Sequence, residues 1–148
     1  MQKIKLLFIA LLISVTVKAQ TVSKEQLAVQ QTVIKMFDAL SNRDSVSLKA
    51  HCTADITLYE YGQVWNMDTL ILKAIAQNKL TDFKRTNSFE FINTTVDKTM
   101  ALVNYRLQSV LIKDGKQVTV QWLETVVLVK AKKRWKIKHL HSTLIKRS

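Results

Sequence analysis

Two histidines one residue apart, His139 and His141, close the last apolar run of the chain, and Glu124 stands in the run before it, within WLETVVLVKAKKRWKIKHLHSTL at 122–144. A carboxylate and an imidazole brought together away from water can exchange a proton, because burial and neighbouring charge move both pKa values. The same residues can equally be satisfied structural groups, since perturbed polar clusters mark functional sites only in a fraction of cases. As metal ligands they are weaker candidates. His139 and His141 share one strand face and can chelate, but a third ligand has to come from Glu124 or distant His51, and a single strand pair rarely closes a zinc site. No metal and no cofactor is expected.

Whether these groups meet depends on register. A two-residue hairpin loop at Lys132-Lys133 sets Lys130 opposite Trp135, Val126 opposite His139 and Glu124 opposite His141. Lys136 and Lys138 point to solvent, so Trp135 and Ile137 point inward, and His139, His141, Glu124 and Val126 follow them onto the inner face. Around Asp114-Gly115 two loops are open. A three-residue loop sets Arg106 beside Trp122 on that face; a two-residue loop turns Arg106 away.

The elements that must carry these residues are helices first, then strands. Ser23-Lys24-Glu25-Gln26 is a capping box, and Leu27, Val29, Val33, Ile34, Phe37 and Leu40 follow at helical spacing as far as Ser41. Asp44 caps a shorter helix through Leu48 and Cys52. The run ITLYEYGQVW reads as two short strands turning near Gly62, and Asn66 opens a third helix from 67 to about 79. From Ser88 the period is two, with strands at 88–96, 100–112, 117–130 and 135–145 joined at Asp97-Lys98, Asp114-Gly115 and Lys132-Lys133. A strongly curved antiparallel or mixed sheet wrapped around the long first helix is the economical α+β solution, because the helix's apolar stripe needs a concave face to cover it.

Composition bounds what such a domain can be. The chain has 148 residues, 47% of them hydrophobic, with no proline and a single cysteine. That suits one packed domain at 20–148 with no intrachain disulfide. Residues 1–19, MQKIKLLFIALLISVTVKA, have Lys3 and Lys5, an apolar run from Leu6 to Val17 and a small-residue junction before Gln20. This is the pattern of a secretory signal peptide, too short in its apolar part for a membrane span, so export to the periplasm or the exterior is expected. Cleavage after Ala19 also removes Lys18, and the formal charge falls from +12 to +9. Lysines that alternate with apolar strand residues form a solvated face that resists edge aggregation, and without interleaved exposed aromatics they make a poor nucleic-acid surface. Cys52 is expected to pack as a small hydrophobe.

At this point a resemblance becomes specific. ALSNRDSVSLKAHCTADITLYE, residues 39–60, resembles the association domain of calcium/calmodulin-dependent protein kinase II, with Cys52, Thr57, Tyr59 and Glu60 in register. ETVVLVKAKKRWKIKHLHST, 124–143, is similar to that family's Glu-Thr-x-Val strand, two-residue turn, Trp and His-x-His-x-Ser end. VNYRLQ, 103–108, is similar to its arginine-bearing strand. The resemblance implies the cone-shaped nuclear transport factor 2-like fold, shared with SnoaL-type cyclases, ketosteroid isomerases and dehydratases, often oligomeric and often with a pocket. It also implies an inward Arg106. Val126 stands where the family has a further arginine, so a less basic pocket is expected, and NMDTLILKAI replaces the family's aromatic run.

Three functions follow from different classes. The first is an exported domain that binds an unknown small molecule inside the cone, with Arg106, His139, Glu60, Tyr59 and Trp122 as candidate contacts beside Glu124 and His141. The second is an acid–base isomerase, cyclase or dehydratase in which Glu124 and His141 trade the proton and Arg106 steadies the developing charge. In the third the pocket is vestigial and the outer sheet face, with Leu123, Val127 and Val129, assembles a homo-oligomer, most simply a dimer. Tyr59, Tyr61 and Trp65 are expected to wall the cone more than to read a ligand.

Overall fold

A computed structural model describes residues 22–148; the expected signal peptide and its junction lie outside the described residues. Ser23 caps α1 (Lys24–Ser41) with the reciprocal Ser23–Gln26 bonds of a capping box. Asp44 caps α2 (Ser45–His51) by accepting from the backbone N–H groups of Val46 and Ser47. β1 (Cys52–Glu60) and β2 (Gln63–Trp65) form a hairpin over Tyr61-Gly62, and Asn66 caps α3 (Met67–Ile71), which runs on as a π-helical turn over Leu72–Ala76. Four long strands follow: β3 (Lys84–Val96), β4 (Met100–Lys113), β5 (Lys116–Ala131) and β6 (Arg134–Arg147).

The strands form one six-stranded sheet in the order β2-β1-β6-β5-β4-β3. It is antiparallel throughout except where β1 runs parallel to β6. The helix stripe of Val29, Val33, Met36, Phe37 and Leu40 is buried against Val103, Tyr105, Leu107, Val126, Leu128, Ile137 and Leu140 from the sheet's inner face. Spacings of three and four residues on α1 meet alternate residues on the strands, and each fully buried aliphatic or aromatic side chain contributes about 2 kcal/mol.

Register decides everything about the site. Both two-residue loops of the long hairpins have left-handed backbone at each central position, with φ of 50° and 69° at Asp114 and Gly115 and of 47° and 65° at Lys132 and Lys133. These mirror-image turns match the twist of their flanking strands. Lys130 therefore pairs with Trp135, as the loop length predicts. Beyond Ile137 the pairing slips: Leu128 faces Ile137 but Val127 faces His139, leaving Lys138 as an extra residue in β6. Lys138 is ion-paired with Asp55 of β1. The bulge reverses the inward–outward phase of β6 as far as a second slip at Ile145, so Leu140 and Ser142 turn inward and His139 and His141 turn out.

Candidate functional site

A cavity of about 590 Å³ lies between α1, the α3 segment and the concave face of the sheet. Most of its wall is apolar, including Met36, Phe37, Leu40, Leu58, Trp65 and Trp122, and its polar groups include Glu60, Arg85 and Glu124. An apolar chamber with a few convergent polar groups is the usual form of a small-molecule site.

Glu124 is the most deeply placed of these, 3% exposed on β5. Its pairing partner on β6 is Ser142, not His141. The Ser142 hydroxyl lies 2.8 Å from Glu124 Oε1 and 2.8 Å from Glu60 Oε1 at the end of β1, so one side chain bridges two carboxyl groups from two strands. On the other side Glu124 faces Tyr105 of β4. The phenol is near enough to ease ionisation of the carboxylate, yet neither Tyr105 Oη nor Glu124 Oε2 completes a hydrogen bond of normal geometry. Burial pushes the Glu124 carboxyl up to about 7; the nearby Tyr105 phenol and the Ser142 hydrogen bond oppose this, and the Glu60 charge adds to it. Burial also raises Glu60, against the opposing effects of Ser142 and of the Arg85 and His141 charges. Tyr105 is pushed well above its ordinary value, first by burial and then by the Glu124 charge.

Arg85, on β3, is one of four basic residues that line the cavity, with Lys73, Lys113 and Arg147, and its charge acts on both carboxyls of this acid pair. Its guanidinium lies over two rings, 5.2 Å from the centroid of Phe37 and 5.8 Å from that of Trp122. Nε–H is directed at Asn87 Oδ1 (2.9 Å) and Ser109 Oγ (3.2 Å), which fixes the plane of the group. The terminal nitrogens make no hydrogen bond or ion pair among the described residues, and the side chain lines the cavity. Burial lowers the Arg85 pKa while the Glu124 and Glu60 charges raise it; an arginine so placed stays cationic.

Of the residues singled out from sequence, Glu124, Glu60 and Trp122 line the cavity. The others do not. His141 is exposed, and His139, half-buried on the outer face, has Nδ1 2.8 Å from Thr57 Oγ1 of β1. Tyr59 is 45% exposed and packs edge-on to His139 at 4.6 Å, so it belongs to the outer face, whereas Tyr61 and Trp65 line the cavity. Arg106 also points outward, opposite Leu123, in a solvent-exposed ion pair with Glu90 at 3.0 Å, because the Asp114-Gly115 loop is the two-residue one. The inward Arg106 implied by the resemblance is thus corrected; the arginines that line the cavity are Arg85 and Arg147, of which Arg85 acts on both glutamates. Its signal was available: Phe83, Arg85, Asn87, Phe89 and Phe91 continue the period-two pattern five residues ahead of Ser88. Cys52 is buried at the start of β1, and burial pushes its thiol up to about 12. Among the described residues no group of three or more His, Cys, Asp or Glu is placed to hold a metal ion.

A helix-backed, curved six-stranded sheet enclosing a polar-floored cavity defines a nuclear transport factor 2-like α+β protein. The family model for the SnoaL-like domain matches residues 29–145, and the chain belongs to that family. Among solved structures it is similar to a ketosteroid isomerase-like protein from Erwinia carotovora, at 16% identity over 84% of this chain and 98% of that one, TM-score 0.68. It is similar to an NTF2-like protein from Cytophaga hutchinsonii, at 16% identity over 83% and 100%, TM-score 0.68. The CaMKII hub of S. rosetta matches at 20% identity over 80% and 95%, TM-score 0.66. No curated protein matches in sequence. These likenesses establish the fold, which hosts many activities.

Proposed function

We propose that the protein is an exported small-molecule-binding domain, and that its ligand is a small organic anion with an apolar body. One observation carries this reading: the terminal N–H groups of Arg85 are unengaged beside an acid pair, in a cavity whose remaining wall is mostly apolar. A carboxylate suits such a guanidinium because the planar fork can donate two parallel hydrogen bonds. A panel of small organic acids tested by thermal shift is expected to stabilise the protein by about 3 kcal/mol at a hundredfold excess over Kd. Arg85→Met abolishes the effect and Arg106→Met leaves it intact. Equal stabilisation in the Arg85 variant, or loss in the Arg106 variant, refutes the assignment. Native mass spectrometry of protein purified from its own host identifies a resident ligand directly.

A second reading is favoured by the carboxyl held near neutrality. Glu124 at about 7 suits a general acid or base of an isomerase, cyclase or dehydratase. Its partner in that case is Glu60 through Ser142, since His141 lies on the opposite face. Assembly belongs with either reading. Leu102 and Leu123 are exposed on the outer face beside half-buried Val127 and Val129, and a second copy of the chain covering this face gives the expected dimer.

A further inference from the structure

A serine hydroxyl has one hydrogen and can donate to only one acceptor. Ser142 Oγ nevertheless lies 2.8 Å from an oxygen of each of two glutamates. Both contacts are hydrogen bonds only when one carboxyl is itself protonated and donates to the serine oxygen. With both groups ionised, one carboxylate oxygen would meet a lone pair of the hydroxyl next to a second negative charge, in a setting where water is largely excluded.

We propose that Glu60, Ser142 and Glu124 form a single proton-sharing unit, which keeps one carboxyl neutral near neutral pH and relays that proton between the buried Glu124 and the cavity-lining Glu60. In the resting arrangement Glu124 is the acid. It is almost wholly buried, whereas Glu60 is half-buried and feels the Arg85 and His141 charges. Glu124 Oε1–H donates to Ser142 Oγ, and the Ser142 hydroxyl donates to Glu60 Oε1. In the relay the Glu124 O–H bond breaks as one forms at Ser142 Oγ, while the serine's original O–H breaks as one forms at Glu60. One proton is transferred, Glu124 is left as the carboxylate, and no oxidant or other reactant is needed. A molecule in the cavity can thus receive a proton from, or lose one to, either carboxyl.

The groups acting on the pair are Arg85 from β3, Tyr105 from β4 and His141 from β6, with Lys73, Lys113 and Arg147 lining the same cavity. The helix α1 gives the cavity only the uncharged Met36, Phe37 and Leu40. Delivery of the proton to a bound molecule rests on the proposed binding function, but the shared proton itself does not.

Infrared titration of the unliganded mature protein, with isotope-labelled glutamate, tests the unit without any ligand, so a failed ligand search has no bearing on the result. At about pH 6 an ordinary glutamate, with a pKa of about 4.3, is almost fully ionised. One carboxylic C=O band is expected to remain there and to be lost as the pH rises through the Glu124 transition. In Glu60→Gln that transition moves down by about one unit, because a like charge has been removed. In Ser142→Ala it shifts, and Ser142→Thr, which restores a hydroxyl, returns it toward the original position. The absence of any neutral carboxyl at about pH 6 in the unaltered protein overturns the proposal, whatever the variants do. So does a transition that ignores both Glu60→Gln and Ser142→Ala.

Discussion

Replacing Glu124 by Gln keeps the side chain's shape and removes its ionisation, so the pH dependence of stability isolates what burial does to this one carboxyl. Its pKa rises from an ordinary 4.5 to about 7 in the folded protein, chiefly through burial. The shift is about two and a half units, worth about 3 kcal/mol at about 1.4 kcal/mol per unit. The folded state binds this proton more tightly than the unfolded state does. Stability from the group is therefore full below the unfolded pKa and is lost as pH rises through the folded one. Urea unfolding from about pH 4 to about pH 8 is expected to show the native protein losing about 3 kcal/mol relative to Glu124→Gln across that range, with little further change above it. Taking the difference cancels groups remote from the pair, among them His51, which burial lowers; Glu60, joined to Glu124 through Ser142, does not cancel, and the loosening of its own titration in the variant belongs to the same difference. A native-minus-variant difference that stays flat from about pH 4 to about pH 8 refutes the account, since the carboxyl would then titrate alike in both states. A difference that grows in favour of the native protein as pH rises reverses its sign and refutes it equally.

Three further outcomes follow from the same geometry. Lys133 has φ of 65° in an otherwise solvent-exposed turn, so Lys133→Gly should raise stability by up to about 1 kcal/mol, as urea midpoints will report. Cys52 is 1% exposed with its thiol pushed up to about 12, so it should resist a thiol reagent in the native state and react at the rate of unfolding or local opening. Leu123 is 43% exposed on the outer face of β5, and Leu123→Asp should shift the proposed dimer to monomer in light scattering without altering the far-ultraviolet spectrum.

The sequence alone determined what local chemistry controls. The capping box at Ser23, the Asp44 and Asn66 caps, the stripe on α1 and the even loop at Lys132-Lys133 all follow from residues within a few positions of one another, and each lies where those residues put it. The motifs at 39–60 and 124–143 were enough to indicate the fold, and alternation placed Glu124 and Trp122 on the inner face. The Asp114-Gly115 loop was ambiguous because turn residues permit two lengths, and one residue decides the side on which Arg106 stands. The bulge at Lys138 has no local mark, neither glycine nor asparagine. It lies where β6 must pair with β5 on one side and with parallel β1 on the other, and Lys138 is bound to Asp55, 83 residues away. Because strand side chains alternate with period two, that single extra residue exchanged the faces of the residues that follow it as far as Leu144, sending His139 and His141 outward and bringing Ser142 in between two glutamates. Arg85 entered the site through both sequence and tertiary structure: the period-two pattern from Phe83 puts it on an inner face, and the packing of Phe37 and Trp122 around its guanidinium makes this early strand residue a cation of the cavity.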